Sequence, residues 1–210
     1  MATFAEMVPA VQQNLPACPQ PVVESYLLRA VAEMCRESFA WIETLAAVDV
    51  LPAAFPYAVV PGTGKKVVKV FRVEIDSQQP PLKKVTIPYA DQYVFDWRTA
   101  TGTPSMFIED PVGTISLISV PDAQVSVVST IAVEPTATTT VLPDDLVREH
   151  KDSIVSGAIS YLSIIPNVPW FSVEFGSMHK GIFNEGKRRA SRTFNLHLAH
   201  PMLITTPSPI

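Results

Sequence analysis

Apolar positions recur with helical spacing toward both ends of the chain and crowd together in short runs through its middle. Val23, Leu27, Ala30, Val31 and Met34 fall on one helical face, with Glu24, Arg29, Glu33 and Glu37 largely off it. This pattern predicts a helix over 22–39, and Pro21 suits its first position because the missing N–H is not needed there. After Pro143, a second stripe of Val147, Ile154, Ala158, Leu162 and Ile165 runs to a stop at Pro166. Asp144 and Asp145 sit in its first turn, where the helix dipole favours carboxylates. A third helix is predicted over 171–194, with Phe175, Met178, Ile182, Phe183, Ala190 and Phe194 on or near one face. The connection through Asn167, Pro169 and Trp170 is short, so the last two helices are expected to pair antiparallel. Residues 3–14 suit a short helix interrupted or capped at Pro9.

The middle has a different period. Residues 67–75 (VVKVFRVEI) alternate in part and are rich in β-branched and aromatic side chains. Further strands are predicted over 82–87, 105–109, 114–120 and 125–133, parted by Gly, Pro and Asp clusters of turn chemistry. PYADQYVFDW, 88–97, reads as a short helix within this region. Short strands in series predict an antiparallel sandwich or small barrel.

The expected fold class is therefore α+β. N-terminal helices (1–50) and a C-terminal helical pair (143–194) form an antiparallel bundle. A β domain (51–142) is inserted between them, and an extended tail (195–210) follows. Pro201, Pro207 and Pro209 forbid a regular helix in the tail, yet Leu203, Ile204 and Ile210 are apolar enough to dock on a partner.

Charge changes this picture in one place. The 210 residues carry 16 basic and 20 acidic side chains, a net charge of −4, which argues against a general nucleic-acid binder. From Phe175 onward, however, five basic residues face one acid, and GKRRASR at 186–192 is a local basic cluster. Lys187, Arg188, Arg189 and Arg192 could meet a DNA backbone, an acidic protein surface or solvent. Charged residues are only 17% of the chain, below the usual ~25%, consistent with surface buried against partners or with a large core. The two cysteines, Cys18 and Cys35, form no disulfide framework and fit a reducing compartment. No apolar run reaches the ~18 residues of a membrane span, and no signal peptide is expected.

Candidate chemistry is sparse. PGTGKK at 61–66 has Val59 where a phosphate loop needs Gly and Lys66 where it needs Ser or Thr, and a strand-like run follows. A hairpin turn with solvated lysines is the expectation. His150, His179, His197 and His200 include no HExxH, and His197 with His200 supply too few ligands for a metal. Asp144, Asp145, Glu149 and Asp152 fit a capping, solvated face better than paired acid and base. Neither a nucleophile elbow nor a cysteine with a histidine near it in sequence occurs. We expect no catalytic site, no metal and no cofactor. A hydrolase or a DNA-binding regulator remains a rival with less support.

Several segments together resemble a known family. TGTPSMFIEDPVGTISLISVPDA, 101–123, is similar to the turn, strand, Gly turn, strand and Pro-Asp turn of phage head-to-tail adaptors. Residues 142–191 resemble their helical pair through Leu142, Pro143, Ile154, Gly157, Ala158, Leu162, Pro166, Pro169, Trp170, Phe183, Gly186 and Ala190. Pro19 and CRESFAW at 35–41 also fit. The nearest group is the podovirus tail tubular protein A, or gatekeeper, type of neck protein. The likeness covers most of the chain but is a pattern and not a catalytic motif. It departs at Ile118-Ser119 and in the long C-terminal tail. It implies a virion subunit, assembled in the host cytoplasm, that forms a dodecameric ring between portal protein and nozzle or other tail proteins. Genomic DNA would pass through the ring without sequence-specific binding, and no membrane would be involved. Lys187, Arg188, Arg189, Arg192, Leu203, Ile204 and Ile210 are the candidate portal or neighbour interface, and Gly157, Ala158 and Trp170 the expected interhelical packing residues. A tail-tube or other minor virion protein is the alternative.

Overall fold

A computed structural model describes residues 2–52, 56–75 and 80–199, with side chains described through Asn195. The chain is α+β: the described residues hold five α-helices and three sheets. It divides into two compact units, residues 1–41 with 134–210, and residues 42–133.

The first unit opens with strand β1 (Ala2–Thr3), a 3-10 turn (Phe4–Glu6) and helix α1 (Val8–Gln12). Thr3 and Glu6 form a capping box, with the Thr3 amide donating to Glu6 Oε1 at 3.1 Å. Pro9 sits in the first turn of α1, so the expected single helix over 3–14 starts twice. Helix α2 (Gln20–Ser38) has Pro21 in its first turn and ends at Phe39, whose φ of 55° is left-handed. The five apolar positions read from its sequence are all fully buried. Helices α4 (Asp144–Leu162) and α5 (Val173–Ala199) complete the unit, and α2, α4 and α5 pack on one another. Strand β1 pairs antiparallel with β10 (Val141–Leu142).

Small residues set the helix separations. Gly157 of α4 lies where an added Cβ would be 2.9 Å from the Phe183 ring of α5 and 3.0 Å from Ala30 Cβ of α2. Gly186 of α5 lies against Ser153 of α4, which an added Cβ would overlap. Helix α5 continues past the expected stop at 194, because no proline precedes Pro201 to break it. The expected extended tail is therefore helical over 195–199, and Leu203, Ile204 and Ile210 lie outside the described residues. The expected apolar face of α5 is two stripes. Phe183, Ala190 and Phe194 are buried, whereas Met178 and Ile182 are 54% and 46% exposed. Ile182 and Phe183, adjacent in sequence, differ by ~100° around the helix, so they cannot share its inner face.

The second unit carries two four-stranded sheets. Strand β9 (Val125–Pro135) pairs antiparallel with β2 (Ile42–Thr44) and β3 (Val48–Val50), and also pairs with β5 (Lys65–Ile75). Residues 42–50, expected with the N-terminal helices, thus belong to a sheet. Three-residue strands separated by turns are too short to show a period in sequence. Along β9, burial alternates at Val125, Val127, Ser129 and Ile131, then becomes continuous. The other sheet runs β4 (Tyr57–Ala58), β8 (Thr114–Ile118), β7 (Met106–Glu109), β6 (Lys83–Lys84). Its β6–β7 pair is parallel, against the antiparallel expectation. A crossover is available because helix α3 (Ile87–Tyr93) lies between the two strands in sequence. The strand expected over 82–87 is cut short for the same reason: Pro88 starts α3. Val85, Ala90, Trp97, Ile108 and Ile118 form one buried cluster beneath α3, joined by Ile87, Val94 and Met106. Gly113, at φ 80°, makes the turn between β7 and β8.

Candidate functional site

The basic cluster of α5 is built on a helix whose inner face is apolar, and that placement sorts its four cations. Lys187 follows Phe183 by four residues and is carried inward with it, to 9% exposure. There it meets α2. Glu33 and Glu37, one turn apart on α2, each place a carboxylate oxygen 2.7 Å from Lys187 Nζ. The Tyr161 hydroxyl, from α4, donates to Glu33. Arg29 lies over the Tyr161 ring at 4.3 Å, and the Phe183 ring meets Tyr161 edge-on at 6.5 Å. Three helices thus share one polar network with aromatic walls.

Its electrostatics follow from that geometry. Burial alone would raise the Glu33 carboxyl, but hydrogen bonds from Lys187 and Tyr161 and the charges of Lys187 and Arg29 hold it below the usual carboxylate range. Burial alone would lower Lys187, and its bonds to Glu33 and Glu37 raise it instead. Burial, with the bond to Glu33, raises the Tyr161 hydroxyl. These shifts favour a charged Glu33, a charged Lys187 and a neutral Tyr161. A lysine held charged and a phenol held neutral are poor nucleophiles, so the network is suited to fixing helices in register.

Lys187, expected at a portal or neighbour interface, instead turns inward against α2. Its ammonium is committed to two glutamates, because an uncompensated charge at that depth would be costly. Arg188, Arg189 and Arg192 are exposed. Among the described residues Arg188 pairs with Glu185, at 3.7 Å, and an open groove of about 460 Å³ lies beside it, lined by Glu37, Asn184, Lys187, Arg188, Ser191 and Arg192. Gly157 is wedged between α2 and α5, Ala158 is fully buried, and Trp170 is half-buried in the α4–α5 connection. The indole N–H of Trp170, the Ser163 hydroxyl and His179 Nδ1 are buried without a hydrogen-bond partner among the described residues. Burial lowers His179.

The remaining candidates fall into structural places. Residues 61–66 form a turn with Gly64 at φ 80°, and β5 begins at Lys65, which pairs with Glu43. No helix N-terminus is offered to a phosphate there. Asp144 and Asp145 lie in the exposed first turn of α4, and Arg148 pairs with Asp145 at 2.7 Å. Cys35 is fully buried, and burial with the nearby Glu134 charge pushes its thiol up to about 12. Burial also raises Cys18. His197 and His200 lie outside the described side chains. Among the described residues, no group of three His, Cys, Asp or Glu side chains is placed to hold a metal, and no helix is long and apolar enough to cross a membrane.

Sequence reasoning missed a second feature, in the β unit. After α3 the chain turns through Asp96, at φ 48°, and leaves Tyr93 and Phe95 65% and 89% exposed. Asp91 braces this turn. One of its carboxylate oxygens accepts from Trp97 Nε1 and from Arg98, both at 2.8 Å. Those bonds and the Arg98 charge hold Asp91 below the usual carboxylate range. The signal was present in YVFDWR, 93–98, where a helical reading spread the aromatics over several faces. No protein-family model matches this chain, and no curated protein sequence matches it.

Proposed function

We propose that this chain is a structural head-to-tail adaptor of a tailed bacteriophage. In this reading, copies form a dodecameric ring beneath the portal protein, join the DNA-filled capsid to nozzle or other tail proteins, and line the channel through which DNA leaves. The chain is not an enzyme, needs no cofactor, and resides in the virion neck after assembly in the host cytoplasm. Its finer architecture is an antiparallel helical bundle, made from both ends of the chain, carrying an inserted β-sandwich.

The family resemblance of 101–123 and 142–191 supports this reading, and one geometric observation carries it. Large apolar side chains stand in solvent on both units. On the helical unit they include Ile164, Phe171, Val173, Met178 and Ile182, exposed by 46–57%. Met178 and Ile182 are one turn apart and so are neighbours on α5. A lone soluble domain gains nothing from such a surface, whereas a subunit flanked by copies of itself buries it. The exposed Arg188, Arg189 and Arg192 extend the outer side of α5 toward a portal or neighbour.

Negative-stain microscopy of the purified chain, alone and mixed with portal rings from the same virus, tests the proposal. Annular particles stacked on the portal are expected. Single-subunit particles that leave the portal bare at every mixing ratio would overturn it.

A further inference from the structure

The braced turn of the β unit and a depression beside it have the shapes of a plug and its socket. Phe95 projects from the turn, and Val94 and Trp97 on either side are anchored in the cluster beneath α3. The left-handed Asp96 backbone points the phenyl ring outward, and the Asp91 bonds to Trp97 and Arg98 fix the loop. Thr99 and Ala100 amides donate to the Asp96 carbonyl at 2.9 and 2.8 Å. The loop backbone that carries the ring is therefore fixed before a partner arrives, which lowers the ordering cost of binding.

The socket is lined by Pro56, Trp97, Arg98, Ser116, Leu117 and Val120 and encloses about 250 Å³. A cavity of roughly 150 Å³ lined by apolar side chains accepts a benzene ring, so a phenyl group fits. Charge is complementary as well. Asp96, beside the plug, makes no ion pair among the described residues. Arg98, on the socket wall, uses NH1 for Asp91 and keeps a side chain 61% exposed, with further N–H donors free to point outward.

We propose that a second copy of this chain seats its Phe95 in this socket, with its Asp96 carboxylate against Arg98. Plug and socket adjoin and share Trp97 and Arg98, but Phe95 fills one role and the Pro56, Ser116, Leu117 and Val120 wall the other. A copy that seats its plug in one neighbour can therefore leave its own socket to another, and such a head-to-tail contact repeats until a ring closes. The closure rests on the adaptor reading above; the contact itself does not. Tyr93, beside the plug, adds a second aromatic to the rim.

Sedimentation velocity on the full chain over a broad concentration range tests the contact. Phe95→Ala should weaken self-association about 10- to 100-fold, the loss expected for one buried phenyl side chain. Ser116→Tyr should fill the socket and do the same, and circular dichroism melts report whether each variant is folded. Mixed together, the two variants should form one-to-one dimers, because one keeps the socket and the other keeps the plug. Asp96→Asn, which tolerates the same backbone, should flatten the salt dependence of self-association. Unchanged association in Phe95→Ala overturns the interface, as does a wild-type chain that stays monomeric throughout. Neither result removes the adaptor reading, which falls only if the chain also fails to attach to portal rings.

Discussion

Two glycines in the helical unit should respond to the same substitution with opposite signs. Gly181 on α5 is exposed, and an added Cβ would meet nothing within 4 Å. Gly181→Ala therefore feels only helix propensity and should stabilise by about 0.5–1 kcal/mol. At Gly157 the same methyl gains the same propensity but would sit 2.9 Å from two Phe183 ring carbons and 3.0 Å from Ala30 Cβ. Ordinary contact begins near 3.4 Å, so α2 and α5 must each retreat by about half an ångström. Neither can yield by turning a flexible tip, since one neighbour is a packed ring and the other a Cβ. Such overpacking costs ~1–3 kcal/mol, leaving Gly157→Ala less stable by ~1–2 kcal/mol. For a chain of this length each kcal/mol moves Tm by about 2–4 °C, so the two variants should melt on opposite sides of wild type. Urea and thermal unfolding followed by circular dichroism measure both. Phe183→Leu should cost less in the Gly157→Ala background than in wild type, because there it also relieves the clash with the added methyl. A Gly157→Ala protein as stabilised as Gly181→Ala would refute the close approach of these helices.

Lys187→Met should destabilise by about 1–3 kcal/mol, below the cost of a fully buried pair because Glu33 and Glu37 keep some solvent, and the urea midpoint should fall accordingly. The Glu33 carboxyl is lowered on folding from its ordinary 4.5, so its contribution is complete above that value and is lost as pH falls through the folded one. Lys187 is raised from its ordinary 10.5, so its contribution is complete below that value and is lost as pH rises through the folded one. Stability against pH should thus lose its acid shoulder in Glu33→Gln and both shoulders in Lys187→Met. Cys35, buried and pushed up to about 12, should resist thiol-labelling reagents in the native state and react at once in denaturant; rapid native labelling by mass spectrometry would contradict its placement. Truncation after Ala199 should leave the melting curve within error of wild type while reducing attachment to portal rings; undiminished attachment would show that 200–210 is not a docking element.

Helices α2 and α4 and their inner faces were legible from sequence alone, whereas the inner face of α5 was only partly so. Burial of a stripe on a 3.6-residue period is a local property, so Val23, Leu27 and Ala30 revealed α2, and Ile154, Ala158 and Leu162 revealed α4. Proline and glycine marked most of the turns for a similarly local reason. Three things required the tertiary structure. The first is the set of short strands β1, β2, β3, β4 and β10, whose two or three residues carry no period and form only because a partner strand supplies their hydrogen bonds. The second is the division of the basic cluster. Adjacent cations at 187 and 188 look alike in sequence, and only the two α2 glutamates opposite Lys187 make one a buried pair and the other a surface charge. The third is the exposure of Phe95. Sequence shows an aromatic among aromatics, whereas the left-handed turn at Asp96, braced by Asp91, decides which rings enter the core and which stand in solvent.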